Sequence, residues 1–196
     1  MATKLRDNYK NMLASVRKNG GFYIGRYELG GTVVAPQEKA GTVMNSTNWY
    51  NLYKAYKTFG DESNTCSRMI WGCQWDQVCK FISTYKEENE TKNRDLSNSC
   101  SYGNYSNSTG DAATNSGRDN FNYTTGRNEA WKTNNIYDFA GNCREWTQEA
   151  YSSNYRTLRG GNCTSEGDGS SVTCRDYNVP TYAVTVVTTR PQLYVK

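Results

Sequence analysis

Two stretches, Asn135-Ile-Tyr-Asp-Phe-Ala-Gly-Asn-Cys-Arg-Glu-Trp146 and Arg156-Thr-Leu-Arg-Gly-Gly161, constrain this chain more than any others. Each sets large side chains beside a glycine-bearing turn, at Gly141 in the first and at Gly160-Gly161 in the second. Glycine at such a place supplies a positive φ or a close backbone approach. Asn142 can cap a turn with its side chain. Trp146, like Trp75, reads as a core ring whose N–H needs a partner. Glu145 is expected to form a structural ion pair with Arg68 or Arg159. The short step between the two stretches keeps both in one packed unit.

The length, 196 residues, fits a single domain over 1–196 with one sizeable core. Mean hydropathy is low at −0.88, yet 16 Tyr and 5 Trp can fill a core with amphipathic rings. Chains that stay disordered are poor in such rings, so a folded domain with long polar loops is expected. The first sixty residues hold nine Lys/Arg against three Asp/Glu. No basic stripe with interleaved aromatics continues from them, so they read as a solvated helix face and no nucleic-acid partner is expected. The sequence contains no His. Ser-His-Asp and Cys-His catalysis and histidine-ligated iron are thereby excluded. Seven Cys at irregular spacing make neither a disulfide framework nor a Cys-x-x-Cys zinc site, and most read as reduced small hydrophobes. Residues 1–20 lack an apolar signal region and no run is long enough to span a bilayer. Cytoplasmic production without membrane insertion is the expectation.

Along the chain, Thr3 can cap a helix to about Lys18 that buries Leu5, Tyr9, Met12, Leu13 and Val16, and Asn19-Gly20-Gly21 stops it. Gly21 to Glu28 reads as a strand in which Gly25 permits close approach. Thr47 can cap a second helix with Trp49, Leu52, Tyr53 and Tyr56 on one face, ended by Gly60. Trp75, Val78, Cys79 and Ile82 mark a third helix. Residues 86–135 lose hydrophobic periodicity and read as a polar insert of surface loops. Thr173–Tyr182 and Tyr182–Val195 read as short strands.

Five segments together resemble the formylglycine-generating enzyme (sulfatase-modifying factor) family. They are Gly21-Phe-Tyr-Ile-Gly-Arg-Tyr-Glu28, Asn48-Trp49 through Phe59, Arg68 through Trp75-Asp76, and the two stretches above. Each is weak alone, but their order is that of the family. The resemblance implies an α+β, C-type-lectin-like fold of the formylglycine-generating-enzyme type, rich in loops, with a small twisted antiparallel sheet. The family's oxidase uses a close cysteine pair just beyond its Gly-Gly motif to hold copper. Here Cys163 stands near that place, but Cys174 follows eleven residues on. A copper- or thiol-dependent oxidase built on Cys163 and Cys174 is therefore the rival, and no catalytic residue is expected. No cofactor is expected beyond the family's structural calcium, to which Asp168 or Asp138 could contribute, although no Asp-rich loop assigns its ligands.

More narrowly, the C-terminal part resembles the variable proteins of diversity-generating retroelements, which share the scaffold. Mutation at the adenines of Asn codons yields Tyr, Ser, Asp, Gly, Cys, Thr, Arg and Val, but not Glu, Lys, Gln, Met or Trp. Residues after Trp146 draw largely on the first set, with Gln148 and Glu166 among the exceptions, between fixed-looking Arg-Gly-Gly and Arg-Pro-x-Leu-Tyr elements. Tyr, Ser, Gly and Asn are also the residues of antibody paratopes. The expected ligand surface spans 151–182. Tyr151, Tyr155, Tyr177 and Tyr182 are its anchors, and Ser152, Ser153, Asn154, Asn162, Cys163, Thr164, Ser165, Asp176 and Asn178 its remaining contacts. The resemblance implies non-catalytic recognition of a protein or glycan on a cell surface, displayed on a phage tail or a bacterial surface, with oligomers common in such proteins. A structural virion protein with no ligand of its own is the further alternative.

Overall fold

The computed structural model describes residues 2–59, 63–84, 93–116 and 118–196. Helix α1 (Ala2–Asn19) opens the chain. Strands β1 (Tyr23–Ile24), β2 (Gly30–Thr32) and β3 (Ala35–Gln37) follow, then helix α2 (Trp49–Ala55), β4 (Thr65–Met69) and helix α3 (Gly72–Thr84). The rest is β5 (Lys132–Thr133), β6 (Ile136–Tyr137), β7 (Arg144–Ala150), β8 (Arg156–Arg159), β9 (Arg175–Asn178), β10 (Val187–Thr189) and β11 (Pro191–Val195). β11 lies between β1 and β4 in an antiparallel sheet, so the last strand is held by the first half of the chain. A second sheet runs β10-β7-β8-β9, antiparallel except where β10 lies parallel to β7. β2-β3 and β5-β6 are two-stranded.

Local chemistry explains most boundaries. Gly20, at φ +80°, ends α1 and donates its N–H to the Val16 carbonyl, as a left-handed helix end requires. Along α1 it is Met12 and Ser15 that are buried, whereas Leu13 stays exposed and Thr3 lies within the helix. Ser15 is drawn in because its Oγ donates to the Val195 carbonyl on β11. The cap of α2 is Asn48, one residue after Thr47; its side chain accepts from the Asn51 N–H. Gly60 lies outside the described residues. The strand expected over Gly21–Glu28 shrinks to Tyr23–Ile24, because the chain bends at Arg26–Tyr27; just before the bend, a Cβ on Gly25 would stand 2.6 Å from the Pro191 ring. The strand expected over Thr173–Tyr182 is β9 alone, and Tyr182–Val195 divides into β10 and β11.

Three apolar clusters form the core. One gathers Trp75, Val78 and Ile82 of α3 with Tyr102, Tyr105 and Phe139. The second packs Trp49 and Leu52 of α2 against Trp146, Leu158 and Val187 of the large sheet. A small third joins Met12 to Trp71 and Tyr194. Residues 86–135 contribute more than surface loops: Tyr102, Tyr105 and Trp131 are buried. Their polar tips find carbonyls, Tyr105 on Gly160 (3.0 Å), Trp131 on Ala112 (3.0 Å) and Tyr102 on Asp95 (2.6 Å), which lets an aperiodic segment fill a core. Residues 86–92 and 117 of that insert lie outside the described residues. Trp75 likewise donates to the Val172 carbonyl. Trp146 is buried among the apolar side chains of the second cluster, and its Nε1 has no partner among the described residues.

Glu145 does not pair with Arg68 or Arg159. Its partner is Arg190, at the turn between β10 and β11, with both side chains almost fully enclosed. Arg190 donates through Nε (3.0 Å) and Nη2 (2.8 Å) to Glu145 Oε1, and also to the carbonyls of Gly25 (3.0 Å) and Tyr137 (2.7 Å). Arg159 is taken by Asp76 of α3. Removing one partner of a buried ion pair strands the other charge and costs about 3–5 kcal/mol. Arg190→Met is expected to lose that much in urea unfolding, whereas Arg175→Ala, which breaks the exposed pair with Glu149, loses at most about 1 kcal/mol. Equal small losses in both variants would contradict the role given to Arg190.

Candidate functional site

The turn between β7 and β8, residues 151–155, and the edge strand β9 bring three tyrosines together. Tyr151 stacks on Tyr177 at 4.0 Å between centroids and 20° between planes, and Tyr155 meets Tyr177 edge-on at 5.1 Å. In spite of these contacts the rings keep 41%, 37% and 42% of their surface exposed, for Tyr151, Tyr155 and Tyr177. Ser152, Ser153 and Asn154 form the exposed turn beside them, closed by Tyr151 N–H on the Tyr155 carbonyl. The arrangement follows from register: β9 pairs Tyr177 with Thr157 on β8, and side chains alternate along a strand. Two residues missed in the sequence belong here. Arg175, two before Tyr177 and so on the same face, lies 4.9 Å from the Tyr151 ring centroid and is anchored to Glu149. The i, i+2 spacing in β9 was the available signal.

The same alternation divides the remaining candidates. Asp176 points to the other face, where it accepts from Arg144 (2.6 Å), and Arg144 also reaches Ser165 Oγ (3.4 Å). Asn178 accepts from the Val179 N–H. Tyr182 is half-buried against the second core cluster. Thr164 is exposed, but Asn162 and Cys163 are buried. Asn162 Oδ1 accepts from Thr164 N and from the hydroxyls of Thr164 and Ser165, so it organises the turn beneath the surface. Asn162 and Cys163 are thus not part of the exposed tyrosine face.

All seven cysteines are free thiols. Burial and the nearby carboxyls of Glu28 and Asp119 push Cys163 up to about 11, so it stays protonated at neutral pH. Burial, then Glu28, also raises Cys143 well above the usual thiol range. That setting favours thiols over thiolates at Cys163 and Cys143. Asp168 is exposed and accepts from Asn107, whereas Asp138 is buried and accepts from Thr125 and Gly126. The two carboxylates thus belong to different environments, and among the described residues no group of three or more His, Cys, Asp or Glu is placed to hold a metal.

Beneath these loops lies a polar frame centred on Asn142. Gly141 and Asn142 adopt φ of +77° and +56°, and a Cβ on Gly141 would stand 2.4 Å from the Asn104 carbonyl oxygen. Asn142 Nδ2 donates to Glu28 (2.6 Å), and its Oδ1 accepts from Asn104 Nδ2 (3.0 Å) and Tyr123 N (2.8 Å). Glu28 accepts also from Cys143 N. Asp138 holds Thr125 Oγ1 and Gly126 N. The 120–127 segment is thereby fastened to β7 and to the segment after β1.

No family model and no curated protein matches the chain. Among solved structures, PvdO from Pseudomonas aeruginosa superposes with a TM-score of 0.58, at 13% identity over 88% of this chain and 80% of that one. Treponema denticola variable protein 1 superposes with a TM-score of 0.51, at 15% identity over 83% of this chain and 74% of that one. The chain has the mixed helical and small-sheet, C-type-lectin-like fold that its motif order implies.

Three buried carboxyls, Glu28, Asp138 and Glu145, face one guanidinium, Arg190. Burial pushes Asp138 up to about 6 and Glu145 up to about 7 despite Arg190. Burial, then Asp138 and Glu145, raises Glu28 well above the carboxylate range. The folded state therefore keeps protons that an unfolded chain releases near pH 4, and it loses stability as pH rises through the folded-state values. Unfolding free energy measured in urea is expected to fall between pH 5 and pH 8, with Asp138→Asn flattening the lower part of that slope. A rise over this interval would contradict the buried cluster.

Proposed function

We propose that this chain is a recognition domain whose ligand surface is built around Tyr151, Tyr155 and Tyr177. The observation that carries the reading is the exposed triad, with Tyr151 stacked on Tyr177 and Tyr155 edge-on to it, at the end of a sheet whose inner side is core. Three rings already ordered against one another lose little entropy on binding. Ser152, Ser153 and Asn154 offer adaptable hydrogen-bonding groups beside them. None of these six side chains fills the core, so their replacement leaves the fold intact. The partner is a protein or glycan on a cell surface, and the role is non-catalytic; the protonated setting of Cys163 supports that.

The surface is diversified by a retroelement acting on Asn codons, and the domain is displayed on a phage tail or a bacterial surface. The composition of 151–182 supports this, as does the occurrence of the same fold in a protein named for its variability. No helix among the described residues is long and apolar enough to cross a membrane.

Sequencing the gene across a population of carriers tests the reading. Substitutions are expected at codons 151–155, 164–165 and 176–178, confined to adenine positions, with Asn142, Trp146, Arg159–Gly161 and Arg190 constant. A uniform sequence across those codons would remove diversification. Substitutions spread equally over surface and core would remove the binding surface as its target.

A further inference from the structure

A cleft of about 630 Å³ opens away from the core clusters, bounded by residues 42–45 after β3, by 120–127, and by Thr164 and Thr185–Val186. Its size is that of a small-molecule site. Phe121 lies in its wall with 58% of its surface exposed, braced edge-on by Tyr123 at 5.0 Å. Arg127 lines it too, with its guanidinium 4.1 Å from the Tyr123 ring centroid, and makes no hydrogen bond or ion pair among the described residues. Thr42, Asn120, Thr124 and Thr185 also line it, with amide and hydroxyl groups whose side chains have no hydrogen-bond partner among those residues. The lining holds no Asp, Glu or Lys; Asp119, next along the chain, accepts from the Tyr123 hydroxyl.

The wall is built rather than loose. Asn104 Nδ2 donates to the Phe121 carbonyl (3.0 Å), and Asn122 Nδ2 to the Thr185 carbonyl (3.0 Å). Asn142 holds both the N–H and the carbonyl of Tyr123, and Thr125 exchanges backbone hydrogen bonds with Gly41 across the cleft's base. Asn142 and Asp138, from the motif segment, thus also fix this concavity.

From this chemistry we infer a second binding site, for a carboxylated saccharide of the uronic-acid type. One uncompensated guanidinium matches one carboxylate, since its planar fork fits that group, and a doubly charged phosphate would leave charge unmatched. Free amides and hydroxyls match a polyol. The exposed face of Phe121 matches the apolar C–H face of a sugar ring. The site shares none of its aromatic or charged groups with the tyrosine triad, so it stands or falls independently of that surface.

The test is a titration of the ¹⁵N-labelled full chain with D-glucuronic acid, D-galacturonic acid, D-glucose and 4-hydroxyphenylacetate, followed by amide shifts. Saturable shifts confined to 120–127, 42–45, 164 and 185–186 are expected with the uronic acids, and binding weaker by about tenfold with glucose, the scale of one charge-assisted hydrogen bond. Arg127→Gln is expected to abolish the preference for acid over glucose, Arg127→Lys to restore part of it, and Phe121→Ala to weaken both sugars. Tyr177→Ala leaves the titration unchanged. No cleft shifts at tens of millimolar, equal binding of acid and neutral sugar, or binding of the aromatic carboxylate alone would each overturn the assignment.

Discussion

Arg190 and Glu145 form the interaction on which the rest of the structure depends. Arg190 lies at the junction of the two sheets, after β10 and before β11, and Glu145 lies near the start of β7. Their bond joins the sheet that carries the tyrosine triad to the sheet that holds the chain's first and last strands. Charges so enclosed are costly unless every hydrogen-bonding group is used. Glu145 and the carbonyls of Gly25 and Tyr137 occupy the guanidinium from three sides. Position, more than strength, makes this pair important: the backbone of β1, β6, β7 and β11 is fixed around one planar group.

A second consequence follows from the acids nearby. Glu28 and Asp138 add carboxyls to a region with one cation, and burial raises both above the usual carboxylate range. Each accepts from backbone or side-chain donors: Cys143 N and the Asn142 amide for Glu28, Gly126 N and the Thr125 hydroxyl for Asp138. Polar groups therefore do work in this low-hydropathy chain that aliphatic residues do elsewhere. They order long irregular segments such as 120–127 from beneath.

Much of this was legible in the sequence where the requirement is local. Gly141, Gly160 and Gly161 occupy left-handed backbone, as their motifs demand. Trp75 and Trp146 are buried rings, and α2 and α3 bury the faces that their periodicity marks. What escaped notice was non-local. Nothing in the spacing of Glu145 singles out Arg190 over Arg68 or Arg159, because the choice is made by the parallel pairing of β10 with β7. Tyr102, Tyr105 and Trp131 looked like loop residues because core contacts made by irregular backbone have no period. At the surface, composition singled out 151–155 and Tyr177, whose rings the structure brings together and leaves exposed, but it could not tell the two faces of β9 apart. Asp176 consequently joined the tyrosines in the expectation, although it points to Arg144.

The central claim is that a buried polar frame carries the fold, so that the tyrosine surface is free to change. Two displayed libraries compare these parts directly, one randomised at 151–155 and 177, the other at Asn104, Asn142, Glu145 and Arg190. The account predicts that most members of the first resist protease as the parent does and that few of the second do. Similar losses in both libraries would contradict it.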